Sequence, residues 1–177
     1  ELMDLVIDVG NSRIDGAVFA GEQRALRFEF DSRRAWTGDE FYLLLAGVFR
    51  ENNIAASAIA RIGICSVVPT QSAMLIDIAK QHLQITPFVV DAQCAHGLRI
   101  VYRDPKQLGA DRIANAAGAL TRYPQRNLII VDTGTATTVC VVSQDGKHLG
   151  GAILPGIGMA ALSLRQNTNS LPLVQLQ

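Results

Sequence analysis

The stretch LVIDVGNSRIDGAVF (5–19) recurs in outline as LIIVDTGTATTVCVV (128–142). Each is an apolar, β-branched run, then Asp-x-Gly, then short hydroxyl or amide residues, then a second apolar run. The first run reads as a buried strand, the Gly loop as a turn and the second run as a returning strand. Asp8 and Asp132 stand 124 positions apart, too far for a solenoid period of about 20–50 residues. The spacing predicts two domains of like topology. Each opens on a carboxylate-tipped hairpin, and the two Asp-Gly loops are expected on opposite walls of one cleft.

Outward from the first hairpin, RALRFEF (24–30) alternates like a third strand, and Thr37 or Asp39 can cap a helix over 41–53. ARIGICSVVP (60–69) reads as a strand, 72–83 as a helix and TPFVVDA (86–92) as a strand. That β-β-β-α-β-α-β order belongs to an α/β domain. A loop at Asp104-Pro105 precedes a helix from about Ala110. After the second hairpin, the Asp145-Gly146 turn leads to a strand over HLGGAILPG (148–156), and 159–167 reads as a helix.

Composition narrows the function classes. Sixteen Lys and Arg balance sixteen Asp and Glu, so there is no broad basic footprint for nucleic acid or an anionic membrane. Mean hydropathy is +0.20, enough for a sizeable core. No apolar run reaches the roughly 18–20 residues of a bilayer span, and ELMDLVIDVG runs straight into a strand, so no leader is expected. Cys65, Cys94 and Cys140 are odd in number and lack CxxC spacing, which predicts reduced packing thiols rather than a disulfide or zinc framework. His82, His96 and His148 show no ligand spacing.

The chemistry then rests on the loops. Gly10 and Gly134 let backbone N–H groups approach a ligand, and Asn11, Ser12, Thr133, Thr135, Thr137 and Thr138 add short donors. Asp8 and Asp132 would repel a bare phosphate, so they make sense beside a cation. Neither loop carries the Walker lysine or GxGxxG. One Asp-x-Gly alone reads equally well as a turn; the matched pair points to phosphate. LGADR (108–112) has two readings: a dipole-complementing helix start, or a base (Asp111) and an anion grip (Arg112) for phosphoryl transfer. In such a transfer the alcohol becomes acidic late, so positioning matters more than basicity. GGAILPG (150–156) reads as a structural turn or as close backbone approach to a ligand.

Taken together, DVGNSR (8–13), CSVVP (65–69), Tyr102 with LGADRIANA (108–116), VDTGTATT (131–138) and GGAILPG (150–156) resemble the type III pantothenate kinases. These belong to the superfamily of acetate and sugar kinases, heat-shock chaperone ATPases and actin. The motifs fall in family order over nearly the whole chain. The resemblance implies an α/β fold of two ribonuclease-H-like domains, each a mixed β-sheet with flanking helices, with ATP between them. The first would span 1–120, with the phosphate loop and substrate segment, and the second would begin at 121–177.

It also implies transfer of the ATP γ-phosphoryl to the primary hydroxyl of pantothenate, the first step toward coenzyme A. Asp8, Val9, Gly10, Asn11, Ser12, Arg13, Ile14 and Asp15 match the first ATP loop, with Asp8 helping to hold Mg2+, and Thr135 matches an ATP contact. Asp111 matches the proton acceptor. Tyr102, Gly109, Ala110, Asp111 and Arg112 match pantothenate-binding positions. Asp132 matches a ligand of a monovalent cation, K+ or NH4+. Members are typically cytoplasmic homodimers. Alternatives are a non-catalytic regulatory protein on the same scaffold, or a superfamily kinase with another small alcohol as substrate.

There are departures. Position 12 is Ser where Thr is common, which keeps the hydroxyl; position 140 is Cys, where Asp or Cys is familiar. Family members continue well past Leu171-Pro172, so the second domain is expected to be incomplete here, with weak ATP binding or slow turnover by these 177 residues themselves.

Overall fold

The computed structural model describes residues 2–94, 97–102, 104–168, 170 and 172. His96 and most of the terminal LPLVQLQ lie outside the described residues. Residue contacts divide the chain into two units: 1–94 with 109–111, and 95–108 with 112–177.

The first unit is built on a five-stranded mixed sheet of order β3-β2-β1-β4-β5. β1 (Met3–Val9), β2 (Arg13–Ala20) and β3 (Gln23–Asp31) form an antiparallel meander. β4 (Ile59–Ser66) runs parallel to β1, and β5 (Phe88–Val89) adds a short parallel edge. Alternation decides which face is buried. Leu5, Ile7 and Val9 of β1, Ile14 and Val18 of β2, and Ile62 and Ile64 of β4 point into the core. Helix α1 (Gly38–Glu51) adds Phe41, Leu45 and Phe49, and α2 (Pro69–Gln81) adds Leu75, Ile78 and Ala79.

The opposite face of this sheet is mixed, with apolar Val6 and Phe19 among charged side chains. It carries Asp4 with Arg61, whose guanidinium donates to it at 2.7 and 2.5 Å, and the row Asp15, Asp8 and Cys65 across β2, β1 and β4.

Helix starts follow local chemistry. Thr37 caps α1 by accepting from the Glu40 backbone N–H, and the Glu40 carboxylate accepts in return from that of Thr37. Pro69, expected at the end of a strand, is the first residue of α2, where its missing N–H has no helical partner to lose.

The second unit has a four-stranded sheet of order β6-β9-β8-β7. β7 (Leu128–Thr133), β8 (Ala136–Val142) and β9 (Lys147–Pro155) form an antiparallel meander, and β6 (Arg99–Ile100) lies parallel to β9. Gly146, at φ +77°, closes the β8–β9 turn, where a side chain would be strained.

Helix α3 (Ala110–Arg122) runs, from Arg112 onward, along one face of this sheet. Arg112 reaches Cys140 on β8, and Asn115 reaches Asp132 on β7. The other face leaves Ile129 at 73% and Val131 at 58% exposure. α4 (Ile157–Asn167) buries none of its residues. The second sheet therefore lacks the cover that the first one has among the described residues. No helix there is long and apolar enough to cross a membrane.

Candidate active site

Both Asp-Gly motifs fold as expected, as the tips of β-hairpins. In the first, Asp8 pairs across β1 and β2 with Asp15, and the Gly10 N–H donates to the Arg13 carbonyl at 2.8 Å, closing the Asn11-Ser12 turn. Two adjacent carboxylates repel. Asp15 is met by Arg27 at 2.8 Å and by Arg13 at 3.8 Å, which offsets its charge. Asp8 lies next to Cys65 on the other side, its register partner on β4. Burial, then the neighbouring carboxylates of Asp8 and Asp111, push the Cys65 thiol far up, so it stays a protonated donor. The β1–β4 ladder continues past Asp8, with the Val67 N–H donating to the Val9 carbonyl at 3.0 Å.

In the second hairpin Asp132 pairs with Thr138 and Thr133 with Thr137, and the Gly134 N–H donates to the Ala136 carbonyl at 2.9 Å. Asp132 accepts from the Asn115 side-chain amide at 2.9 Å. Thr135 accepts at its carbonyl from the Gly156 N–H at 3.1 Å. Two of the three glycines of GGAILPG, Gly151 and Gly156, have a packing reason, while Gly150 sits at φ +141°. A side chain at Gly151 would strike the Val139 carbonyl and the Arg112 guanidinium, and one at Gly156 the carbonyls of Gly134 and Thr135.

The LGADR segment starts α3. Asp111 sits in its first turn, where the helix dipole favours a carboxylate. A Cβ at Gly109 would come within 2.5 Å of the Asp111 carboxylate oxygen Oδ1, so glycine leaves room for that carboxylate over the turn. Arg112, the next residue, is buried. Its Nε donates to Cys140 Sγ and an Nη to the Tyr102 hydroxyl, both at 3.1 Å. Burial opposes its charge, and the sulfur and phenol more than offset that and hold it charged. Tyr102 is carried by the chain leaving β6, where the Val101 N–H donates to the His148 carbonyl at 3.2 Å.

A family model for type III pantothenate kinase matches residues 4–177. A type III pantothenate kinase from Legionella pneumophila (strain Corby) is 46% identical over 174 residues, covering 98% of this chain and 68% of its own length. One from Desulfosudis oleivorans is 42% identical over 175 residues, with the same two shares. The chain belongs to the type III pantothenate kinase family. Among solved structures, the activator of 2-hydroxyisocaproyl-CoA dehydratase from Clostridium difficile, with bound ADPNP, superimposes with a TM-score of 0.55 at 12% identity. It covers 94% of this chain and 52% of its own. That likeness speaks for the fold alone: ribonuclease-H-like mixed sheets with flanking helices, as the sequence implied.

Cys65, Cys140 and Asn115, present in the sequence only inside motifs or as a family position, and His148 carry no individual role in the sequence reading. The thiols and the histidine read as packing. In the structure Cys65 adjoins Asp8, Cys140 holds Arg112, and His148 stacks edge-on against Tyr102. Asn115 was within reach of the sequence. It follows Arg112 by three positions, which puts both on one face of α3.

Proposed function

We propose that the protein transfers the γ-phosphoryl group of ATP to the primary hydroxyl of pantothenate, giving 4′-phosphopantothenate on the route to coenzyme A. What carries the assignment is the start of α3: Gly109, Asp111 and Arg112 stand together there, in a chain 46% identical to a type III pantothenate kinase.

In this reading Asp111 accepts the hydroxyl proton as the oxygen bonds to phosphorus. Its place in the first turn of α3, with room left by Gly109, matters more for phosphoryl transfer than its basicity. Arg112 and Tyr102 bind the substrate, with Gly109 and Ala110 lining its approach. The first hairpin loop, Asp8 to Asp15, addresses the phosphates of ATP through groups other than the Gly10 N–H, which is taken up by the Arg13 carbonyl, and Thr135 is a further ATP contact.

Asp8 suits Mg2+. Among the described residues no three His, Cys, Asp or Glu side chains form a metal cage. One strand-end carboxylate beside phosphate-binding N–H groups is the donor set Mg2+ uses when phosphate oxygens and water complete its shell. Bound Mg2+ would offset charge on the phosphate oxygens. Asp132, oriented by Asn115, is an oxygen donor fit for K+ or NH4+.

The test is a panel of alcohols offered with ATP, Mg2+ and K+, with the phosphorylated position read by 31P NMR. Phosphorylation of the pantothenate primary hydroxyl in preference to other alcohols is expected. Preferred transfer to a different alcohol, or ATP-independent binding alone, would overturn the assignment.

A further inference from the structure

Around Arg112 the second unit holds a buried polar cluster of which substrate binding uses only a part. Arg112 is 7% and Cys140 2% exposed. Among the described residues the guanidinium donates through Nε to the Cys140 sulfur and through an Nη to the Tyr102 hydroxyl, each 3.1 Å away. Cys140 lies on β8 opposite Gly151 of β9, and a side chain at 151 would come within 2.8 Å of Arg112 Nη2. Behind Tyr102 stands His148, wholly buried, with ring centroids 5.5 Å apart and planes at 76°. Among the described residues neither ring nitrogen of His148 has a hydrogen-bond partner. Proteins seldom keep such a group without a reason.

A free arginine side chain has many rotamers, and an anion that must first immobilise it binds more weakly. A sulfur fixed in a strand removes that cost in advance.

We propose that Cys140 is a positioning residue: its sulfur, with the Tyr102 hydroxyl, fixes the plane of the Arg112 guanidinium, and His148 is the wall that holds the Tyr102 ring in place. If Arg112 grips the substrate, as proposed above, loss of the sulfur weakens pantothenate binding without touching the phosphoryl-transfer step.

Steady-state kinetics of wild type, Cys140→Ala, Cys140→Ser and Arg112→Lys separate the cases. Cys140→Ala should raise the pantothenate KM about fivefold to tenfold, with kcat and the ATP KM within about twofold. Cys140→Ser, which keeps an acceptor, should recover most of the loss. Arg112→Lys should raise the pantothenate KM at least as far. An unchanged KM in Arg112→Lys overturns the substrate role of Arg112 itself. A raised KM in Arg112→Lys with none in Cys140→Ala, or an equal rise in the ATP KM, overturns the positioning role alone. Exchange of the Arg112 Nε–H, followed by 15N NMR of the wild-type chain, gives an answer without turnover. Slow exchange is expected from its burial on sulfur, and exchange as fast as at the exposed arginines would overturn the proposal.

Discussion

His148 is the residue whose burial is hardest to justify by packing alone. Burial, and then the charge of Arg112, push its imidazole below the ordinary histidine range. Tyr102 packs edge-on against it. The sign follows from linkage. The folded chain keeps His148 neutral, so its contribution is complete above the ordinary pKa of about 6.5. It is lost as pH falls below that, because the unfolded chain then binds a proton that the folded chain does not. The Tm of the wild type should therefore drop more steeply from about pH 7.5 to pH 5.5 than that of His148→Phe; equal slopes would show that His148 titrates normally. None of this was legible in the sequence. A histidine without ligand spacing looks like any other, and only the pairing of β6 with β9 sets it behind Tyr102. Asp8, Asp111 and Arg112 were legible because glycine and charge mark them at strand and helix ends.

At the level of elements, the hairpins and helices were open to reading because their causes are local: alternating apolar residues, Asp-Gly turns, a Thr37–Glu40 cap. That cap is a measurable part of α1. Thr37→Ala removes the acceptor for the Glu40 N–H and should cost about 1 kcal/mol of stability in urea unfolding, with an unchanged m-value. A loss under about 0.3 kcal/mol would mean that solvent replaces the cap at no cost. The short edges were not legible. TPFVVDA (86–92) has the composition of a full strand, yet only Phe88 and Val89 pair with β4. Strand length depends on the partner available, and the local pattern does not contain the partner. The same holds for α3, whose Ala-rich sequence gave the helix but not the face that carries Arg112 and Asn115 to the second sheet.

At the scale of the molecule, the internal echo of 5–19 and 128–142 was the informative signal, because each copy opens a meander in its own unit. What the echo could not convey is how unequally the two sheets are covered. Near-equal apolar runs become a core in β1 (Leu5, Ile7, Val9) and an exposed row in β7 (Ile129, Val131), since burial depends on helices that lie far away in sequence. The proposed proton acceptor, Asp111, stands at the start of α3. Its role is tested most directly by the rate of 4′-phosphopantothenate formation in Asp111→Asn against the unaltered chain, with ATP affinity measured alongside. A fall of about 10²- to 10⁴-fold, with ATP affinity and Tm nearly unchanged, is predicted for the loss of a positioned proton acceptor. A rate within about threefold of the unaltered chain would contradict the assignment of Asp111.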